Sequence, residues 1–171
     1  MSQISIEQIT IKQMLLDDVQ KYKNEIRDFI YDSVKMSNYE ESYTKEKAFE
    51  KAEELSDYVR DEKAIVLGAF YKESLIGFLW AYAFPFREDI NRLYVSIVHV
   101  LDEYRNMHIG AELLTQIENL ARMRGYDKIF LHAEATNKRA CDFYESNNYA
   151  KERIQYVKKI DTVEGNMYIG Y

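Results

Sequence analysis

The pattern of hydrophobic and polar positions divides the chain into a helical N-terminal part and a strand-rich part that follows it. Apolar residues alternate loosely over residues 6–14 and predict a first strand. From Asp18 to about Met36 they recur at helical spacing, and residues 37–44 form a polar loop. The same spacing then predicts a second helix, whose apolar face consists of Ala48, Ala52, Leu55 and Val59.

A β-hairpin is predicted next, because the apolar pattern changes from helical spacing to alternation. Ala64–Tyr71 and residues 75–84 are two β-rich runs, separated by a short polar segment that suits a tight turn. Pro85 ends the second run, and residues 93–101 form a further strand of the same sheet. The middle of the chain is therefore expected to be the antiparallel part of a sheet.

A helix and another strand follow this sheet segment. The amphipathic helix begins near Ile109 and ends near Gly125, where a glycine suits the C-terminal cap. Residues 128–134 form the next strand. The strands over residues 93–101 and 128–134 are expected to be adjacent and parallel, because a helix joins them. Each is followed by a helix, so the N-termini of these two helices should lie close together at one edge of the sheet.

The C-terminal part completes a mixed α/β sheet. Asn137 is the predicted N-cap of a short helix that runs through Ser146. Two more strands are expected, one from residue 149 to about 160 and a shorter one over residues 167–171. Since no linker, repeat or low-complexity tract interrupts the chain, we expect a single domain over residues 1–171.

Composition and charge narrow the class of protein. The chain has 171 residues, of which 47% are hydrophobic and 30% charged, as in one globular domain. Its net charge of −6 argues against a nucleic-acid partner and is compatible with a cationic small molecule. The longest apolar run, residues 75–86, is too short to span a membrane. With one cysteine, Cys141, and no signal peptide, the expected location is the cytoplasm.

Residues 98–111 form the first candidate site, a strand that passes through a polar loop into a helix. The first N–H groups of a helix have no intrahelical acceptor and lie at the positive end of its dipole, so this turn can bind phosphate. Arg105 followed by Gly110 fits an ordinary strand–helix turn equally well. The loop is neither a Walker loop nor the glycine-rich dinucleotide motif.

The second candidate site is the helix that Asn137 begins. Phe143 can pack inward, and Asn148 can end the helix in the left-handed conformation. The Tyr144 hydroxyl could act as a general acid toward a departing thiolate. Packing is the alternative role for Tyr144, since the chain has 15 tyrosines and most of them are expected to pack.

These two segments resemble the GNAT superfamily of acyl-CoA-dependent N-acetyltransferases, and the order of the predicted elements agrees with that family along the whole chain. The family's phosphate loop reads Arg/Gln-x-x-Gly-x-Gly/Ala, which is matched by Arg105 and by the second glycine, Gly110, with the small residue Ala111 following. Its later pattern, Asn-x-x-Ala-x-x-Phe-Tyr-Glu-x-x-Gly-Phe, is met by Asn137, Ala140, Phe143, Tyr144 and Glu145.

The resemblance implies a fold and a mode of cofactor binding. The fold is α/β, a GNAT-like mixed, mostly antiparallel sheet of about six to seven strands flanked by about four helices. The backbone of Val98 and Val100 would pair with the pantetheine arm of acetyl-CoA as an added strand, and the loop amides would hold its pyrophosphate. The implied cofactor-binding residues are Val98, His99, Val100, Arg105, Asn106, Met107, His108, Ile109, Gly110, Ala111, Asn137 and Tyr144.

The resemblance also implies an acid and a base. Tyr144 would protonate the leaving thiolate, and the base would come from the fourth strand or from just before it. Glu88, Asp89 and His99 are the candidates, although Glu88 and Asp89 could equally be a solvated turn. His99 can face the far side of the sheet, and His132 alternates similarly in its own strand. No histidine has metal-ligand spacing, so no metal is expected.

His108 departs from the family pattern, which has glycine at this position. Glycine permits a positive φ and a close approach of phosphate, and histidine is one of the few other residues that tolerates this conformation. A protonated ring could also donate to phosphate. We expect instead that the ring points to solvent and that only the backbone N–H is used.

The sequence therefore predicts an N-acetyltransferase that moves acetyl from acetyl-CoA to a primary amine by direct attack in a ternary complex. A non-catalytic CoA-binding sensor or interaction module of the same fold is the alternative. The acceptor would be a small-molecule or protein amine, and the tyrosines and acidic residues of positions 17–60 mildly favour a cationic one. Strand edges near the C-terminus could pair in a homodimer.

Overall fold

The computed structural model describes residues 5–36, 44–83 and 91–158. Short 3-10 helices at Ile6–Gln8 and Asp102–Tyr104 precede the first strand and the fourth α-helix. The strands and α-helices within these residues follow one another in the order β1 (Ile9–Gln13), α1 (Leu16–Lys21), α2 (Lys23–Met36), α3 (Lys45–Arg60), β2 (Ala64–Tyr71), β3 (Ser74–Ala83), β4 (Arg92–Val100), α4 (Ile109–Met123), β5 (Lys128–Phe130) and α5 (Lys138–Ser146).

The strands form one sheet in the order β1-β2-β3-β4-β5, in which every neighbouring pair is antiparallel except β4 and β5. This confirms the predicted mixed, mostly antiparallel α/β fold. The part of the chain that the structure describes holds five strands instead of six to seven. The polar loop predicted after α2 and the strand predicted over residues 167–171 lie outside it, apart from Thr44.

The strand predicted from residue 149 onward is wrong as far as residue 158. These residues belong to no strand or helix, and Ile154, Tyr156 and Val157 are 76%, 89% and 77% exposed. A strand needs a partner for its backbone, and the neighbouring β5 is only three residues long. Strand-like composition alone therefore did not produce a strand here.

The helix predicted from Asp18 onward is two helices, α1 and α2, which meet at Tyr22. The backbone of Tyr22 has φ −100° and ψ 23°, outside the α-helical range. Its hydroxyl donates to the Glu73 carbonyl oxygen at 3.0 Å, and its ring centroid lies 5.2 Å from that of Phe70. These contacts tie the junction of the two helices to the β2–β3 hairpin, while the apolar spacing continues because both helices pack on one core.

Helices cover both faces of the sheet. Side chains such as Ile26 on α2 and Leu55 on α3 pack with Phe78 against one face, and Leu113 and Ile117 of α4 pack against the other. Each fully buried side chain of this kind stabilises the fold by about 1.5–3 kcal/mol. The sheet is therefore the middle layer, and what lies on one face is separated from what lies on the other.

A β-bulge in β4 changes which residues face which layer. Val95 is opposite Ala81 of β3, but Trp80 is opposite Ile97, so Ser96 is an extra residue. Val95 consequently packs on the α4 side, whereas Ile97, two positions later, packs on the side of α1–α3. The bulge thus divides β4 into two halves of opposite orientation.

Candidate active site

The edge of β4 that faces β5 is open over most of its length. Within the described residues, β5 pairs only with the first three residues of β4. The Leu101 N–H donates to the Ile76 carbonyl oxygen on β3 at 3.0 Å. Because successive residues of a strand direct their N–H and C=O groups to opposite edges, those of Val98 and Val100 point to the open edge.

Arg105 fixes the junction between β4 and the loop that follows. Its Nε donates to the Val100 carbonyl oxygen at 3.1 Å, and its Nη1 lies 2.5 Å from a carboxylate oxygen of Asp102. The Arg105 side chain is only 16% exposed. Arg105 therefore holds the loop in place. It also hydrogen-bonds the Val100 carbonyl oxygen, which is one of the backbone groups at the open edge of β4.

The loop enters α4 through two left-handed residues. Asn106 and His108 have φ values of 62° and 61°, and the His108 carbonyl accepts the first helical hydrogen bond, from Glu112 N at 3.0 Å. The N–H groups of Ile109 and Gly110 are among those without an intrahelical acceptor. Left-handed residues in such a turn are typical of anion-binding backbone. The exposed His108 thus has the conformation that glycine usually provides.

Gly110 allows α5 to approach the start of α4. A Cβ atom at Gly110 would lie 3.0 Å from Cζ of Phe143, so the ring occupies the space that a side chain would need. Asn137 caps α5 by accepting the N–H of the third helical residue at 3.1 Å. Asn148 has a φ of 66° just after the helix, as predicted. The conformation of both ends of α5 agrees with the sequence-based expectation.

Tyr144 follows Phe143 on α5 and is half-buried. Its ring centroid lies 5.2 Å from that of Phe143 and 6.0 Å from that of Tyr149. Burial, with a smaller contribution from Tyr94, raises the pKa of Tyr144 to about 12. Tyr144 packs on the side of the sheet that α4 covers, as Val98 and Val100 do, and its hydroxyl stays protonated at neutral pH.

His99 lies on the face of the sheet that α2 covers, opposite to Val98 and Val100. Its Nδ1 is 3.1 Å from Ser33 Oγ, and its ring centroid is 5.4 Å from that of Phe29. Burial and, to a lesser extent, the charge of Arg105 lower the pKa of His99. Its ring also lines a pocket of about 560 Å³ beside α2. His99 anchors α2 to β4, and this geometry gives no support to a role as the base.

His132 and Tyr94 form a polar pair at the point where β4 and β5 separate. His132 Nδ1 lies 3.3 Å from the Tyr94 hydroxyl oxygen, and their ring centroids are 5.4 Å apart. Phe130, opposite Tyr94 in the parallel pairing, packs beside both rings. His132 is exposed, so it can reach a solvent-accessible substrate. The other two candidate bases, Glu88 and Asp89, lie outside the described residues.

Strand alternation in the sequence indicated which face His132 occupies. Nothing in the sequence distinguished Tyr94 from the other tyrosines. His132 follows Phe130 by two positions and therefore shares its face of the strand. Tyr94 is one of 15 tyrosines, and only the strand register places it against Phe130. The pairing of two distant strands was needed to bring the His132 and Tyr94 side chains together.

Residues 5–36, 44–83 and 91–158 contain neither a metal-ligand cluster nor a helix that could cross a membrane. No group of three or more His, Cys, Asp or Glu side chains there is arranged to hold a metal ion. Among the helices of those ranges, none is both long and apolar enough to cross a membrane.

The sequence profile described as the acetyltransferase (GNAT) family matches residues 29–149. The matched segment is more than half of the chain and contains β2 to α5, the loop before α4 and Tyr144. The chain therefore belongs to the acetyltransferase (GNAT) family.

Two relatives of known name are also described as acetyltransferases. The chain is 29% identical over 79 residues to N-alpha-acetyltransferase 50 of Danio rerio, covering 44% of this chain and 47% of the relative. It is 26% identical over 150 residues to a spermidine N(1)-acetyltransferase of Thermoplasma acidophilum, covering 84% and 89%. The chain spans about half the length of the animal relatives that it matches.

The fold agrees with that of a solved structure bound to CoA. The aminoglycoside N-acetyltransferase AAC(6')-Iy in complex with CoA superposes with a TM-score of 0.68 at 13% identity, covering 88% of this chain and 94% of the other. At this identity the likeness shows the fold alone.

Proposed function

We propose that this protein is an N-acetyltransferase that transfers the acetyl group of acetyl-CoA to a primary amine by direct attack in a ternary complex. The observation that carries the proposal is the open edge of β4 beside the start of α4, with the His132–Tyr94 pair where the edge begins and Tyr144 packed on the side of the sheet that α4 covers. Family membership supports the same activity.

The residues present fit acetyl-CoA. The N–H and C=O groups of Val98 and the N–H of Val100 offer an extended chain the pairing that a sixth strand would have. The loop amides and the start of α4 suit a pyrophosphate, and Gly110 and Phe143 hold the neighbouring helix close. The side-chain Oδ1 of Asn137 accepts the N–H of Ala140 in its own helix. The side-chain NH2 group of Asn137 therefore remains for the cofactor.

The chemistry that acetyl-CoA supplies is an activated acyl group, a thioester. The chain's own residues would move the protons. His132, oriented by Tyr94, would accept a proton from the attacking amine, and Tyr144 would donate one to the leaving thiolate as the C–N bond forms and the C–S bond breaks. Cys141 needs no part in this, since its Sγ faces the Glu134 carbonyl oxygen at 3.7 Å.

We propose His132 as the base because its ring is exposed and its Nδ1 lies 3.3 Å from the Tyr94 hydroxyl oxygen, and Glu88 and Asp89, outside the described residues, stay the alternative bases. The acceptor remains a primary amine of a small molecule or a protein, and the acidic net charge of −6 favours a cationic one. The cytoplasm is the proposed location, as a single cysteine suits a reducing compartment.

The test combines acetyl-CoA calorimetry with release of free thiol in the presence of amines. We expect saturable binding and amine-dependent thiol release. Val98→Pro removes an N–H that points to the open edge and should weaken acetyl-CoA binding about tenfold, whereas Val98→Ala keeps it and should not. Binding without thiol release for any amine would contradict the transferase and favour a non-catalytic CoA-binding protein.

A further inference from the structure

Four aromatic side chains form a continuous row that leads from α3 to His132. We call Tyr58, Trp80, Tyr82 and Tyr94 the aromatic row. Neighbouring ring centroids lie 6.3 Å apart for Tyr58 and Trp80, 5.8 Å for Trp80 and Tyr82, and 5.3 Å for Tyr82 and Tyr94. Tyr94 then lies 5.4 Å from His132. The row thus connects α3 with the proposed base.

The row already holds one ammonium group. Lys51 Nζ lies 5.6 Å from the centroid of the Trp80 ring, within the range of a cation–π interaction. Lys51, Glu54 and Tyr58 follow one another on α3 at spacings of three and four residues, so they share one face of the helix. Aromatic faces and a carboxylate are therefore combined at one place.

Burial and the charge of Glu54 both act on the ionisable groups at this place. Burial raises the pKa of Tyr82 to about 12, with smaller contributions from Tyr94, Tyr58 and, last, the charge of Glu54, in agreement with the position of Glu54 one turn before Tyr58 on α3. Burial lowers the pKa of Lys51, and Glu54 opposes that shift. The Lys51 ammonium is therefore held at the row by the Trp80 ring and Glu54 against the cost of its own burial, and a ligand ammonium would use the same two partners.

The row also has surface that a ligand can reach. Tyr58 is 37% exposed and Tyr82 and Tyr94 are half-buried, whereas Trp80, on which Lys51 lies, is only 2% exposed. A bound ammonium at Tyr82 would be two ring-to-ring steps from His132, of 5.3 Å and 5.4 Å. An acceptor with two amino groups on a short flexible chain fits this spacing, because one nitrogen can lie on the row while the other lies at His132.

We propose that the aromatic row and Glu54 form a second cation subsite, which holds the distal ammonium of a diamine or polyamine acceptor, and that Lys51 fills this subsite in the absence of acceptor. The inference rests on the proposed function for the transfer step alone. The occupant is a cation and not an uncharged arene, because the row already holds an ammonium beside a carboxylate.

Steady-state kinetics with matched amines test the specificity. Putrescine and butylamine have the same carbon chain and differ in one ammonium, so KM should be about tenfold lower for putrescine with a similar kcat. Glu54→Gln should raise KM for putrescine several-fold and leave that for butylamine unchanged. Glu53→Gln is the matched control, since it makes the same charge change but the Glu53 carboxylate pairs with Lys23.

Replacement of Lys51 tests the competition. Lys51→Met removes the internal cation and keeps an unbranched side chain, so KM for putrescine should fall about threefold to tenfold. Lys51→Arg keeps a cation on Trp80 and should behave as the wild type. An unchanged KM in Lys51→Met would refute the role given to Lys51.

Trp80 provides a readout that does not depend on turnover, because it is the one tryptophan of the chain. Titration with putrescine without acetyl-CoA should change its emission saturably, and butylamine or Glu54→Gln should weaken that response. Saturable emission without thiol release would keep the subsite and refute the transferase. Thiol release with equal KM for both amines, and no change in emission, would keep the transferase and refute the subsite.

Discussion

The two halves of the proposed site are built by different means. The cofactor half, from Val98 to Ala111, consists largely of backbone groups of consecutive residues, an open strand edge followed by a helix start. The acceptor half consists of side chains from separate elements, Tyr58 on α3, Tyr94 on β4 and His132 after β5. The cofactor half consists of one continuous segment and therefore has a sequence motif. The acceptor half is brought together by strand pairing and has no such motif.

Because the two halves are built differently, mutations in one half should have different kinetic effects from mutations in the other. Changes in the cofactor half should alter acetyl-CoA affinity and leave the KM for the amine largely unaltered. Changes in the acceptor half should do the reverse. The four changes below are ordered from the largest expected effect to the smallest.

Loss of the His132 ring should have the largest effect. A positioned general base contributes about 100- to 10,000-fold to rate, so His132→Ala should lower kcat/KM for the amine by at least about 100-fold. Acetyl-CoA affinity by calorimetry should stay within about twofold of the wild type. Tyr94→Phe, which removes only the hydroxyl near Nδ1, should give a smaller loss of the same kind. Full activity in His132→Ala would return the base role to Glu88 or Asp89.

Tyr144→Phe should lower kcat by about 10- to 100-fold, because the ring remains and only the proton donor is removed. Since burial raises the pKa of Tyr144 to about 12, its hydroxyl stays protonated through neutral and mildly alkaline pH and is lost only as pH rises toward that value. The pH–rate profile of the wild type should therefore show no decline due to Tyr144 over that range. Tyr156→Phe, at an 89% exposed position, is the control. Equal turnover in both variants would exclude the acid role.

Gly110→Val should lower stability by about 1–3 kcal/mol, because its side chain would collide with the Phe143 ring, 3.0 Å from an ideal Cβ. Thermal unfolding should show a reduced Tm, and acetyl-CoA affinity should fall because α4 and α5 are forced apart. Adding Phe143→Leu should recover part of the loss. Additive losses in the double variant would mean that the two residues do not share this contact.

His108→Gly should have the smallest effect on binding. Glycine adopts a φ of 61° without strain, so the free energy of unfolding should rise by about 0.5–1 kcal/mol. The acetyl-CoA affinity should change by less than about threefold, because the backbone N–H is retained while the exposed ring is lost. A tenfold loss of affinity at low salt would instead show that the ring contacts phosphate.

The cofactor half shows how far local sequence can reach. Positive φ values and helix caps depend on a few neighbouring residues, so His108, Asn137 and Asn148 have conformations that their residue types suggest. The strands β2 and β3 were likewise predicted almost to the residue, since alternation and a polar turn are local features. The same local pattern wrongly predicted α1 and α2 as one helix. The apolar spacing continues through Tyr22, and the contact of Tyr22 with Glu73 cannot be predicted from spacing.

The sequence by itself determined the order of the elements, the strand–helix turn that we propose binds phosphate, and the capped helix that carries Tyr144. Each of these depends on residues close together in the chain. The tertiary structure alone decided that β4 changes orientation at Ser96, that His99 is buried against α2, and that Tyr94 meets His132. These features depend on register between distant strands, and one extra residue in a strand reverses the face of every side chain beyond it.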